Sequence, residues 1–378
     1  MATTPGKQCD EESVVMYMAL ELSNSSWVVL FGNGDRTRRR KVGAGDVEAL
    51  MTEVAQAKAR LGLDAQTPVL SCFEAGRDGF WLHRYLQAQG IDNRVVDSSS
   101  IAVDRRARRA KTDRIDVEAL LSMLRRQHGG ERKVWSVVRV PSEDAEAQRH
   151  WHRERTRLLK EGTALRNSIS SLLITQGARL AVKGKDFMAQ VAAYRRWDGT
   201  PLPAALIERV AREWARLELI TTQRRQMDAE RRERLAQGDD ASLRQVTQLM
   251  RLRGVGIESA WVLVMELFGW REFPNRRQLA GAAGLTPTPF QSGNMARDQG
   301  ISKAGNRRVR ALLIELAWMW VRHQPDNVHT RWFQRRFGHG SARQRRIGIV
   351  ALARRLLIEL WRYLRTGTVS DGTLLMAA

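Results

Sequence analysis

Asp113 and Asp116 stand three residues apart in Lys111-Thr112-Asp113-Arg114-Ile115-Asp116. On a helix that spacing sets two carboxylates on one face, one turn apart. Oxygen ligands this close suit Mg²⁺, with Mn²⁺ as a substitute. Directly upstream run Arg105, Arg106, Arg108, Arg109 and Lys111, cations fit for a phosphate backbone. Thr112 is the expected N-cap, and both aspartates favour the positive end of the helix. An ordinary capped helix with surface ion pairs shows the same pattern, so the pair alone decides little. Glu21 and Glu74 add to it. Glu21 interrupts an apolar run at residues 14–22, and Glu74 ends another at residues 68–73. A buried strand rarely carries a carboxylate without a partner. In a two-metal nuclease, carboxylates from different elements converge, and two ions per site stabilise the attacking and leaving oxygens of an in-line displacement.

The elements that must position these groups follow from the pattern of apolar residues. Residues 14–22 and 27–31 read as a strand pair, with a turn at Gly32-Asn33-Gly34-Asp35 and a basic flank at 36–42. An amphipathic helix is expected over 46–61, a short buried strand at 68–73, a helix through Trp81, Leu82 and Leu86, and a strand at 94–97. Strands alternating with helices predict an α/β sheet domain over 14–140, behind a polar leader at 1–13. Past Pro141 two long charged helices, 142–173 and 203–237, carry narrow apolar stripes. Such helices pack as a hairpin or coiled coil, here a region over 141–240 that also offers contacts between protomers. A third domain, over 241–365, is expected to be helical, with its last helices at 306–323 and 343–364 and a tail at 366–378. In it, Gly254-Val255-Gly256 between two helices resembles a helix-hairpin-helix, whose backbone N–H groups meet a phosphate. A loop is expected at Phe290-Gln291-Ser292-Gly293-Asn294.

Bulk composition narrows the partner. Lys plus Arg is 63 against 41 Asp plus Glu, a net charge of +22. That surplus points to a polyanion, nucleic acid first. No apolar run is long enough to cross a bilayer and no signal-peptide pattern opens the chain. Cys9 and Cys72 make no metal motif and no disulfide framework, so a reducing cytosol fits. Of the twelve tryptophans, most are expected in cores and a few against bases. Residues 177–185 have the wrong spacing for a P-loop, and His150-Trp151-His152 alternates around a helix, so neither NTPase nor metal chemistry is expected there.

Four blocks together are similar to the insertion-sequence one-ten family of transposases, within it the one-eleven-eleven subgroup. They are Met18-Ala19-Leu20-Glu21-Leu22-Ser23, Phe73-Glu74-Ala75-Gly76-Arg77-Asp78-Gly79, Lys111 through Asp116, and Gly284-Leu285-Thr286-Pro287 running through Ser292-Gly293 to Ile301-Ser302-Lys303-Ala304-Gly305-Asn306-Arg307. The resemblance covers roughly residues 14–365. It implies an N-terminal RuvC-like domain of the RNase H fold with a DEDD set, a coiled coil, and a C-terminal transposase domain with a serine nucleophile. It further implies a noncoding guide RNA, donor and target DNA, a tetramer built as a dimer of dimers, and work in the bacterial cytoplasm at the nucleoid. Carried over, the metal set is Glu21, Glu74, Asp113 and Asp116. Ser292 takes the place of the serine, with Ser302 its competitor beside phosphate-binding Lys303, Asn306, Arg307 and Arg308. Glu21 departs from the family's commonest first acid, Asp, and its extra methylene moves the carboxylate.

A serine attacking a phosphodiester would give a covalent phosphoserine and keep bond energy for religation. Two rivals share the residues. One is a Holliday-junction-type endonuclease that uses water, and the other a nucleic-acid-binding protein without catalysis.

Overall fold

The computed structural model describes residues 14–76, 78–101, 113–132, 134–238, 240–292 and 295–376, with the backbone alone at 99, 113, 114 and 296–298. The cationic run Arg105, Arg106, Arg108, Arg109 and Lys111, the Thr112 cap and the leader at 1–13 therefore lie outside the described residues. The chain divides into two compact units, Met1–Val140 and Pro141–Ala378.

The first unit is built on a five-stranded sheet of order β3-β2-β1-β4-β5. Its strands are β1 (Met16–Leu22), β2 (Ser26–Gly32), β3 (Thr37–Gly43), β4 (Val69–Glu74) and β5 (Asp92–Val96). The first three form an antiparallel meander; β4 and β5 run parallel to β1. Helices α1 (Val47–Leu61) and α2 (Trp81–Ala88) cover one face and α3 (Asp113–His128) covers the other. Alternation along β1 decides the faces. Met16, Met18 and Leu20 enter the core with Trp27, Phe31, Leu50 and Leu86, whereas Ala19 joins Cys72, Val117, Leu120 and Leu124 under α3. A one-residue slip would exchange the two sets, so burial fixes the register.

The basic flank at 36–42 is a third strand. In β3 only Val42 is buried. An edge strand keeps one side in water, and arginines there discourage pairing with another sheet. That solvation is why no apolar period marks it.

In the second unit α4 (Glu143–Ile174) and α6 (Ala204–Gln237) form the expected antiparallel hairpin, closed at its far end by α5 (Phe187–Ala193). Gly162 lets the helices approach, facing Leu217 and Ile220. Below them lie α7 (Ala241–Met250), α8 (Ile257–Leu263) continued by a π turn at Val264–Phe268, α9 (Arg276–Ala282), α10 (Arg307–His323), α11 (Val328–Phe333) and α12 (Ala342–Thr366). Trp261, Leu313, Trp320, Leu352, Leu356 and Leu360 fill their common core.

Two further features depart from the sequence reading. The expected loop at 290–294 is largely strand. β6 (Pro287–Ser292) and β7 (Met295–Ile301) make a two-stranded ribbon inside the helical unit. Nearly all of β6 is exposed, so no buried face wrote a period-two pattern into the sequence. The tail is also ordered against the bundle. Buried Gln324 donates from Nε2 to Arg253 O at 2.8 Å and Leu374 O at 2.9 Å, and its Oε1 accepts from Leu374 N at 2.7 Å.

Candidate active site

Glu21 and Glu74 are brought side by side by strand register. Leu20 of β1 pairs with Phe73 of β4, and each glutamate is the next residue. Alternation puts both on the face that carries Ala19 and Cys72, the face covered by α3. Both are half-buried. On α3, Asp116 is half-buried and lies one turn before Leu120, which is fully packed on the sheet. Asp113 opens the helix, and its side chain is outside the described set. Strand register and the helix thus put Glu21, Glu74 and Asp116 on the face of the sheet that α3 covers. Among the described residues, however, no group of three or more His, Cys, Asp or Glu is close enough to hold a metal ion.

Ser292 is exposed at the end of β6, paired with Met295 across the ribbon tip. What fixes the ribbon is its base. Ser302 N donates to Thr286 O at 2.8 Å, Lys303 N to Gly284 O at 3.2 Å, and Asn306 N to Ala282 O at 2.8 Å. The segments 282–286 and 302–306 therefore lie backbone against backbone. A Cβ on Gly305 would stand 2.6 Å from Ala282 O, and Gly305 adopts φ +115°. Gly284, at φ +66°, is packed against Ala304 in the same way. Lys303 adopts φ +58°, unusual for a residue with a side chain. Asn306 caps α10, its Oδ1 accepting from Arg308 N at 2.9 Å and Val309 N at 3.2 Å. Arg307 and Arg308 are exposed on the first turn of α10.

The residue that sequence reasoning missed is Glu266. It sits in the π turn, and its side chain is fully buried. Arg153 grips it with Nε at 2.8 Å and Nη2 at 2.9 Å. His152 Nε2 lies 3.0 Å away, and Asn306 Nδ2 donates at 2.8 Å. Burial alone would raise its pKa, but the bonds from His152, Arg153 and Asn306 outweigh burial and hold the carboxyl far below the usual range. Glu266 thereby ties α4 to the Asn306 cap at the ribbon base. A single acid in the apolar run 260–268 was the available signal, of the same kind that marked Glu21.

A second ionic knot fastens the hairpin. Buried Arg155 donates to Asp228 at 2.7 Å and Glu258 at 2.6 Å, and buried Arg231 reaches Glu258 at 2.7 Å and Asp228 at 3.1 Å. The Gly254-Val255-Gly256 turn does join two helices. Gly254 adopts φ +94°, and a Cβ there would meet His323 at 3.2 Å; Gly256 precedes α8.

Residues 246–332 match the family model described as Transposase IS116/IS110/IS902 family. Across 378 aligned residues the chain is 40% identical to y4rJ of Sinorhizobium fredii, a protein named as a candidate transposase, covering 95% of this chain and 94% of that one. A candidate family 20 transposase of Pseudomonas aeruginosa is 30% identical over 261 residues, 68% of this chain and 73% of its own length. The transposase for insertion sequence element IS1328 of Yersinia enterocolitica is 24% identical over 266 residues, with the same two coverages of 68% and 73%.

Proposed function

The chain belongs to the IS116/IS110/IS902 family of transposases, and on that premise we propose that it is an RNA-guided DNA recombinase. In this reading it excises and inserts its own element through metal-dependent cleavage and a phosphoserine intermediate. The observation that carries it is the register of β1 on β4, which pairs Leu20 with Phe73 and so sets Glu21 beside Glu74 under α3. Three antiparallel strands followed by two parallel ones, with the acids at the ends of the first and fourth, support a RuvC-like fold of the RNase H type.

Glu21, Glu74, Asp113 and Asp116 would hold Mg²⁺ or Mn²⁺, two ions per site. All four offer hard carboxylate oxygens, the donors these ions take. When bound, such ions supply charge stabilisation to an in-line displacement at phosphorus. The chain's own part is to hold the acids on rigid strand ends and a helix start. The longer Glu21 side chain reaches from a strand that ends one residue later.

Ser292 Oγ attacks the phosphorus. A Ser–O–P bond forms and the bond from phosphorus to one sugar oxygen breaks. The serine proton leaves to a base, and the departing sugar oxygen takes one up. The exposed ribbon suits a nucleophile that must reach into DNA, and the clasp at its base holds it in place. In this reading Lys303, Asn306, Arg307 and Arg308 bind phosphate at the start of α10, and Gly254 with Gly256 bind it separately, near the end of that helix. The cationic run from Arg105 to Lys111 binds the guide RNA or DNA. A net charge of +22 favours both polyanions. Four protomers act together, as a dimer of dimers in the bacterial cytoplasm at the nucleoid. No helix among the described residues is long and apolar enough to cross a membrane.

The test is a denaturing gel of labelled DNA with full-length protein and Mg²⁺, run with and without the copurifying RNA. A protein–DNA adduct should form only with RNA, and mass spectrometry should place it on Ser292. Ser292→Ala should lose the adduct and keep RNA binding. An adduct without RNA would reject guidance, one on Ser302 would move the nucleophile, and cleavage with no adduct would favour the water-using endonuclease.

A further inference from the structure

A groove of about 860 Å³ opens in the second unit between the ribbon base, the start of α9 and α12. We propose that it holds an unpaired DNA nucleotide, its base on the apolar wall and its phosphates on the rim. The wall is made by Leu285, Ile301, Trp332, Ile347 and Ile358. Ile347 is 55% exposed, an apolar side chain left in water among cations. The rim carries Arg276, Arg277, Lys303, Arg346 and Arg354, and among the described residues no carboxylate lines the groove. Cations converging on one groove repel one another until a polyanion arrives, so the charge fits a nucleic-acid backbone and opposes a basic or neutral peptide.

The aromatic floor indicates an unpaired base. The guanidinium of Arg355 lies over the Trp332 ring, 4.0 Å from its centroid, and both line the groove. Burial, then the nearby Arg336, lowers the pKa of Arg355, as expected for a cation set against an apolar wall. Trp rings and Arg guanidinium planes are platforms on which splayed bases settle. Bases in a duplex already stack on each other and cannot reach such a wall. Gln299 adds an amide able to donate to and accept from a base edge.

The assignment to DNA rests on Ser292 as nucleophile. Pro287, Gly300 and Ile301 of the ribbon line the groove. Ser292 ends the strand that Pro287 begins, roughly 17 Å farther along at the rise of an extended chain. A strand cut at the tip can therefore run down the ribbon and leave a flanking nucleotide in the groove.

The experiment is fluorescence anisotropy of the full-length protein with a labelled oligothymidylate of about ten nucleotides, within the usual site size. The comparison ligand is an oligomer of equal length with abasic sugars, which keeps the phosphates. Oligothymidylate should bind roughly tenfold more tightly, the worth of about one stacked base. Ile347→Gln, at an exposed position, should erase that preference with an unchanged melting temperature, and Ile347→Leu should retain it. Equal binding of the two oligomers, or a preference that survives Ile347→Gln, would overturn the proposal. So would tighter, Ile347-dependent binding of the RNA of the same sequence. A change in sedimentation of Ile347→Gln with DNA binding intact would give the groove to a second copy of the chain instead. The nucleophile is read by the adduct on a denaturing gel and the groove by anisotropy, so failure of the nucleophile assignment and failure of the groove read out separately.

Discussion

Two carboxylate regions in this chain are built on opposite plans. In the N-terminal unit, Glu21, Glu74 and Asp116 lie half-buried on one face, set there by strand register and the start of a helix. In the C-terminal unit, Glu266 is alone and fully buried, and its oxygens are taken by Arg153, Asn306 and His152. A buried carboxylate with its lone pairs satisfied inside the fold has little left to offer a ligand. Carboxylates kept half-buried, several to a face, stay within reach of solvent and of a substrate. The contrast separates an acid that positions other residues from acids that are proposed to work on a substrate.

The sharpest way to break the comparison is to remove one acid from the exposed set. Asp116→Asn should leave the melting temperature of the protein unchanged, because the residue is half-buried on the first turn of its helix. DNA cleavage should fall by several kcal/mol of transition-state stabilisation, roughly three orders of magnitude in rate. Asp113→Asn should behave the same way, and both variants should still bind RNA. Glu21→Asp should retain more cleavage than Glu21→Ala. Full cleavage by Asp116→Asn in Mg²⁺ would remove the acidic face from the chemistry.

Glu266→Gln should show the reverse pattern, a loss of stability first. Removing one partner of a buried ion pair leaves the other charge uncompensated, at a cost of about 3 kcal/mol. For a unit of this size that lowers the melting temperature by roughly 6–12 °C. The effect has a defined pH dependence. The folded-state carboxyl is held below its ordinary value of 4.5. Its stabilisation is therefore complete above that value and is lost as pH falls below it. Urea unfolding of wild type and variant should differ most at neutral pH and converge in acid. A gap that stays constant down to strongly acidic pH would show that charge is not what Glu266 contributes.

The same contrast explains what was legible in the sequence. The acidic face was readable because each acid sits in a short local pattern. Asp113 and Asp116 have helical spacing, and Glu21 and Glu74 mark apolar strands. The long helices at Glu143–Ile174 and Ala204–Gln237, and the late helices Arg307–His323 and Ala342–Thr366, were legible from apolar stripes of helical period. Three features were not. β3 faces water at a sheet edge, and the ribbon has almost no buried face, so neither writes a period. The Glu266 node joins Arg153, Glu266 and Asn306, separated by 113 and 40 residues. No local window contains such a node. Only its lone acid in an apolar run hinted at it.

The smallest expected effect tests whether the Glu266 node reaches the ribbon at all. Asn306 does two things: its Oδ1 caps α10, and its Nδ2 donates to Glu266. Asn306→Ser keeps a capping oxygen, since serine ranks with asparagine at that position. It removes the amide donor. The loss should be about 1.5 kcal/mol, the net worth of one hydrogen bond to a charged acceptor at the low end of its range. A double-mutant cycle with Glu266→Gln then separates the two roles. If the bond between Asn306 and Glu266 carries the effect, Asn306→Ser should cost much less once Glu266 is already Gln, and the cycle should close with a coupling of about 1.5 kcal/mol. If Asn306 acts through its cap alone, the two substitutions should add. Coupling also predicts a shared signature at the ribbon. Both single variants should lower the yield of Ser292 adduct by a similar factor, because both loosen the segment from Ser302 to Asn306 that clasps the base of β6 and β7. Additive stabilities with an undisturbed adduct would confine Glu266 to fastening α4 onto the bundle.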